Sequence, residues 1–481
     1  TGKIIDRYLI SFMPIKEVMQ PIKIWQWRSL TLNHRTASEV FTALFLDDPV
    51  ATLLESPGTI ADLEQPQLSR YSLCAGAPRL REGESQLWMP KTGEILPFLR
   101  SLLKQPTIHN SQVAHLPFTG GWLGWLGYDL AWEIEKLPKL NQDTLPFPVA
   151  YWYEPDCFAV LDHVAQTLWL AAGDFEQLEN LVAKLAVFKP APEIVPNTPT
   201  TSTITFLTNQ EQYQNAVKRA KQHIQAGDIF QTNLSLRFQT STTNNSWLIY
   251  QQLQKINPSP FASYWRSPWG DVISCSPERL VQLVDNLAQT RPIAGTRRRG
   301  LDQASDRALA AELLANTKER AEHIMLVDLE RNDLGRVCQW GSVEVDELLV
   351  IERYSHVMHL VSNVKGILSS DRDAVDLIRG VFPGGTITGC PKVRCMELIE
   401  ELEPVRRSLF YGSCGYLDQR GNLDLNILIR TLLYVKSPDS DTAQVYGQVG
   451  AGIVADSEPE QEWYESLNKA EAQIAALQFK P

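Results

Sequence analysis

The sequence predicts an α+β fold built on large antiparallel sheets, and three observations carry that reading. Short apolar runs separated by turns fill the N-terminal region, as in Cys157–Leu161 and Thr167–Ala172. The C-terminal region mixes a helical period with a strand period of two. The two kinds of segment come in unequal clusters and not in strict β-α alternation, which favours α+β. The 481 residues are 44% hydrophobic and 21% charged, so a large core can form and an intrinsically disordered chain is excluded.

Taken in order, residues 1–12 are not read as structure, and Met13 is a candidate start. The run Trp122–Trp132 is too short to span a membrane and carries Asp129. With Gly120–Leu130 it reads as a strand, like Cys157–Leu161 and Thr167–Ala172. Prolines and a Ser/Thr tract from Lys189 to Thr203 mark a linker. The predicted domains are therefore 13–188, a linker at 189–205, and 206–478. Gln210–Ala226 carries Tyr213, Val217, Ala220 and Ile224 at helical spacing and stops at Gly227. Phe230–Phe238 alternates apolar residues with Gln231, Asn233, Ser235 and Arg237, a strand with one polar face. Thr240–Asn245 is a loop, and Asp306–Asn332 a long helical stretch broken near Asn316. The last helix opens on an S-x-x-E capping box, Ser457 and Glu460, with Pro459 in the first turn. Trp463, Leu467, Ala470, Ile474 and Leu477 form its buried face.

Charge and cysteine usage narrow the function. A net charge of −11 repels nucleic acid and anionic membrane, so neither is a partner. Seven cysteines form no Cys-x-x-Cys pair, which points to free thiols, no zinc site and a reducing compartment, the cytoplasm or a plastid. Neither Cys390 nor Cys414 sits in the G-x-C-x-G elbow of a glutaminase nucleophile.

Four segments can carry chemistry. On the last helix Glu462, Glu465 and Lys469 share a face away from the apolar one. They form either a solvated face with a helix ion pair, or two carboxylates for a hard cation beside an ammonium for an anion. In 319–336 the apolar run Ile324–Leu329 predicts a helix buried on more than one side, which makes Glu322 a third candidate carboxylate. In 382–394 a Gly/Thr-rich loop precedes a helix starting near Lys392 and is either a connection or an anion cradle, though not a P-loop. GQVGAG at 447–452 lacks the context of a dinucleotide fold. Among the histidines only His356 stands out, as a structural or an active-site residue.

At these residues the chain resembles the chorismate-utilising enzymes, from about Ile24 to Leu477. The motifs are SPERL (276–280), RPIAGTRRRG (291–300), EHIMLVDLERNDLG (322–335), YSHVMHLVS (354–362), GGTITGCPKVR (384–394), GNLDLNILIRT (421–431) and GAGIVADSEPEQEWYESLNKA (450–470). The resemblance implies two intertwined lobes with sheets packed face to face. It implies Mg2+ held by Glu322 and Glu465, with Glu462 beside them, on the ring carboxylate of chorismate. Thr386, Tyr416, Arg430, Lys469 and the backbone of Gly450 and Gly452 match positions that hold the substrate carboxylates. Glu278 matches the acid that protonates the departing C4 hydroxyl, and His356 the active-site histidine. Leu54, Glu55, Ser56, Pro258 and Phe261 match a possible tryptophan feedback site.

The informative departure is Ala294, where water-using members and typical aminodeoxychorismate synthases carry lysine. Alanine neither activates water nor attacks C2. Ammonia needs no base, so an ammonia-using enzyme remains. The runs at 117–130, 230–238, 257–264 and 423–431 look like aminodeoxychorismate synthase component I, which aminates C4 on the way to p-aminobenzoate and folate. Anthranilate synthase component I, which aminates C2 with loss of pyruvate, is the alternative. Either reading expects ammonia from a separate glutamine amidotransferase subunit. A homologue that has lost catalysis predicts lost ligands, yet Glu278, Glu322, Glu462, Glu465, His356, Arg430 and Lys469 all remain.

Overall fold

The computed structural model describes residues 25–56, 69–105, 110–189, 198–199, 203–354, 357–437 and 439–480. Met13 lies outside them. Two antiparallel sheets dominate, one of 12 strands and one of 10 among the described residues. They face each other across a core that holds Trp265 and Val272 from the first and Trp125, Val281 and Leu425 from the second. The helices Ala37–Leu44, Phe175–Val187, Gln210–Gln225, Ser246–Ile256 and Pro459–Leu477 cover the outer face of the first sheet. Strand alternation sorts the side chains. On Phe261–Ser267, Trp265 points between the sheets while Ala262 and Tyr264 meet the helices.

The segment 189–205 does not separate independent cores. Ala51–Glu55 pairs with Phe261–Ser267 in the first sheet, and Gly121–Leu126 pairs with Ser413–Asp418 in the second. Each sheet thus draws strands from both sides of that segment, and the lobes are intertwined. Within it, Thr198–Pro199 pairs with Phe479–Lys480, and Thr205–Phe206 already belongs to the first sheet.

Most predicted elements form within a residue or two. Gln210–Gln225 is a helix capped by Asn209, and the stretch 303–335 splits into two helices at Asn316, whose side chain caps the second. Gly120–Leu130 departs from its reading: it is a strand only over Gly121–Leu126 and then turns into a short 3-10 helix. Ser457 does not cap the last helix. That helix starts at Pro459 with Glu458 as its cap residue, and the Ser457 hydroxyl instead accepts from the Val454 N–H at 3.0 Å. The helix Thr317–Gly335 is not buried all round, because Ile324 and Asp328 face outward between the buried Leu326, Val327 and Leu329. Among the described residues no helix is long and apolar enough to cross a membrane.

Candidate active site

Two of the chain crossings between the sheets lie side by side, and each carries a candidate residue. The first runs from Gly270–Ser276 to Arg279–Val284 and contains Glu278. The second runs from Leu423–Asn426 to Thr431–Lys436 and contains Arg430. They are stitched by Ile427 N–H to the Glu278 carbonyl (3.0 Å) and Cys275 N–H to the Arg430 carbonyl (3.2 Å). Arg430 adopts φ 52°, a left-handed conformation that a side-chain-bearing residue holds only when its surroundings impose it.

Glu278 is 5% exposed, and burial pushes its carboxyl up to about 8, so it is protonated at neutral pH. Thr386 stands next to it on the turn Gly385–Ile387, with its buried hydroxyl facing the Glu278 carboxyl. Burial also lowers the pKa of Arg430, whose guanidinium has no ion-pair partner among the described residues. A charged fork with no counter-ion beside an uncharged acid suits an anionic ligand.

A rim of carboxylates borders this centre. The polar face of the strand Gln231–Thr242 points inward, not to solvent. Its Gln231 amide donates to Glu322 Oε1 at 3.1 Å. Gly452 lies directly against that pair: a Cβ there would fall 2.5 Å from Gln231 Nε2 and 3.3 Å from Glu322 Oε1. Lys469 Nζ bonds Glu465 Oε1 at 2.8 Å and the Gly450 carbonyl at 3.1 Å, so it ties the last helix to the strand Ala443–Ile453. Burial raises the Glu322 pKa, with Lys469 opposing and Glu465 adding to the rise. Burial likewise raises that of Glu462. Glu462 Oε2, Gln231 Oε1 and Asn233 Oδ1 are buried without partners among the described residues. Unmet polar atoms around one centre are a mark of a ligand site.

The carboxylates suit a hard cation, which takes oxygen donors. No group of three His, Cys, Asp or Glu side chains converges on one point among the described residues. Magnesium needs only one or two carboxylates when substrate and water complete its shell. Glu322 with Glu465 or Glu462 therefore fits that ion.

His356 lies outside the described residues. Among the described residues, His359 borders the centre. It stands opposite Thr296 on adjoining strands, its Nδ1 is 3.0 Å from Thr296 Oγ1, and burial lowers it to about 4, so it is neutral. Arg430 adds to that lowering, which puts the two near each other. Ala294 is on the same strand as Thr296, Ile293–Arg298, at an irregularity between 294 and 296.

Tyr416 belongs to a second pocket, of about 130 Å3 and partly open to solvent. Leu54, Glu55, Phe118, Phe261 and the Arg279–Asp424 ion pair share its wall. Tyr416 falls there because alternation on Ser413–Asp418 turns it toward Phe118, with ring centroids 5.5 Å apart. Pro260 lines that pocket, in place of Pro258. Ser56 is buried near its rim against Ser69, Oγ to Oγ 2.8 Å. Glu55 accepts from Tyr250 (2.6 Å), Gln254 (2.6 Å) and Ser38 (2.9 Å), and burial raises it to about 6.

A protonated acid, an unpaired guanidinium and a carboxylate rim, gathered where two large sheets exchange strands, define an enzyme for a small anionic substrate. The chain belongs to the chorismate binding enzyme family, whose model matches residues 64–475. It is 62% identical over 470 residues to an anthranilate synthase component I-like protein of Synechocystis, covering 96% of this chain and 93% of that one. It is 42% identical to aminodeoxychorismate synthase component 1 of Bacillus subtilis, covering 87% and 91%. The crystal structure of anthranilate synthase component I from Streptococcus pneumoniae superposes with a TM-score of 0.72 at 32% identity, over 84% of this chain and 92% of that one. The chain is thus a chorismate-utilising enzyme of the anthranilate synthase and aminodeoxychorismate synthase type.

Proposed function

We propose that the chain aminates chorismate with ammonia at C2 and releases pyruvate, giving anthranilate. One observation carries this choice of product. Ala294 stands beside Thr296 and the neutral His359, where an amine side chain would be needed for a covalent adduct at C2. An open C2 leaves ammonia itself as the nucleophile. Two of the three relatives above bear anthranilate synthase names, which supports the same reading.

In this scheme Arg430 and the backbone around Gly450 and Gly452 hold the substrate carboxylates. Glu278 gives its proton to the C4 hydroxyl, which departs as water as ammonia bonds to C2. Loss of the proton at C2 and cleavage of the C3–O bond, with a proton added to the enolpyruvyl methylene, then release pyruvate and make the ring aromatic. His359 stays neutral, accepts or donates one hydrogen bond, and adds no charge. Magnesium, when bound through Glu322 and Glu465 or Glu462, would neutralise the ring carboxylate. The ammonia comes from a separate glutamine amidotransferase subunit, because no thiol of this chain fits a glutaminase. The pocket of Leu54, Phe261 and Tyr416 is the proposed tryptophan site.

Amination at C4 is the second reading. It is favoured by the Bacillus subtilis relative, whose likeness extends over 87% of this chain. Pure protein with chorismate, magnesium and ammonium separates the two. Anthranilate fluorescence without any added enzyme, suppressed by tryptophan, is the expected result. p-Aminobenzoate that forms only when an aminodeoxychorismate lyase is added would establish the C4 reading instead.

The cation assignment has its own test. Glu465 is exposed and off the buried face, so Glu465→Gln is expected to change stability by less than about 0.5 kcal/mol. Turnover is expected to fall about a hundredfold, with a weakened magnesium dependence. Unchanged turnover at limiting magnesium would remove Glu465 from the assignment.

A further inference from the structure

A second buried carboxyl lies close to Glu278, and the scheme above has no use for it. Glu330 is 6% exposed on the helix Thr317–Gly335. The turn Gly385–Ile387 runs between the two acids, with Thr386 at Glu278 and Gly385 at Glu330. A Cβ at residue 385 would come 3.3 Å from Glu330 Oε1 and 2.5 Å from Leu329 Cδ2, so the close passage of the turn depends on glycine. On its other side Glu330 meets Thr290, at the end of the strand that leads to Ala294, and the Thr290 hydroxyl has no other partner among the described residues.

Among the described residues Glu330 has no ion pair of its own. Lys392 faces it but is bonded to Asp333 and to the Val381 carbonyl (2.9 Å). The charged groups around Glu330 are then Asp333 on its own helix, Lys392 on the helix Lys392–Leu402, and Glu278 across the turn. Glu278 in turn faces Glu330.

We propose that Glu330 is a positioning residue of the reaction: a carboxyl set across the 385–387 turn that opposes ionisation of Glu278 and so keeps its proton available to the leaving hydroxyl. Two carboxylates in one low-dielectric region do not ionise together easily. Burial raises Glu330 to about 7, with Asp333 adding to the rise, and Glu278 to about 8. As pH climbs past neutrality Glu330 gives up its proton first, and its charge then makes that of Glu278 harder to remove.

The inference rests on Glu278 being the acid, and its test has one arm that needs no turnover. Infrared titration of the protonated-carboxyl stretch in the full chain is compared for wild type, Glu278→Gln, Glu330→Gln and Glu330→Asp. Glu330→Gln is expected to move the Glu278 titration about one pH unit lower. In the kinetic arm, with free ammonia held constant, the alkaline limb of kcat should move down by the same about one unit. Turnover above the limb then drops about tenfold, while the chorismate KM stays within about twofold. Glu330→Asp, which keeps the charge, should return the limb toward its wild-type position. Should Glu330→Gln not fold, Glu330→Met carries both arms. An unmoved Glu278 titration, or a rate lowered equally at every pH, would overturn the proposal. Normal turnover in Glu278→Gln would overturn the acid assignment instead, which is a distinct failure.

Discussion

Glu278→Gln is expected to lose about two to four orders of magnitude in kcat, the usual contribution of a placed general acid, with little change in the chorismate KM. The same variant should be more stable than wild type in alkali. A carboxyl raised from 4.5 to about 8 by burial stays protonated in the folded chain while it ionises in the unfolded one. The folded state then binds the extra proton between those two values, so stability falls as pH rises through that window and levels off above it. The slope is about 1.4 kcal/mol per pH unit for one such group, which sums to several kcal/mol at the alkaline end. Glutamine keeps the shape and has nothing to ionise, so the variant's melting temperature should separate from wild type progressively between pH 5 and 8. Lost turnover with parallel melting curves would mean that Glu278 is not held neutral by burial. Retained turnover would remove it as the acid.

How far the sequence exposes this site depends on whether a residue is placed by local period or by strand register. The last helix shows its carboxylate face because Glu462, Glu465 and Lys469 are fixed by helical spacing alone. The break at Asn316 was legible for a similar reason, since a short polar residue between two apolar periods is a cap signal. His359 was not legible. His359 lies on an extended strand whose alternate residues face opposite ways, and only pairing with Ile293–Arg298 tells which face meets the site. Tyr416 was misplaced for the same reason, because Ser413–Asp418 presents one face to each side of its sheet. Glu330 hides in a run of charges that reads as a solvated helix surface. Its burial comes from the turn at Gly385, more than 50 residues away. The two crossings that bring Glu278 to Arg430 have no local signature, since they exist only once both sheets have formed.

Arg430→Gln carries the second large effect, and it separates binding from stability. The guanidinium is half-buried without a counter-ion among the described residues, and that burial lowers its pKa. A half-buried cation left unpaired costs some free energy that an arriving carboxylate recovers through paired charge-assisted hydrogen bonds. The wild-type chain should therefore gain several degrees in melting temperature with saturating chorismate and magnesium, by mass action on the folded state. Glutamine removes that charge, so the unliganded variant should melt no lower than wild type. Its ligand-induced shift should vanish, and kcat/KM should fall by about two to three orders of magnitude. Arg430→Lys should not restore it, because a single ammonium cannot reproduce a planar fork at a residue held at φ 52°. A variant that loses stability without ligand but keeps its chorismate shift would assign Arg430 to the fold. In that case the neutral acid at Glu278 would face a substrate gripped from another side, with Lys469 and the backbone at Gly450 next in line.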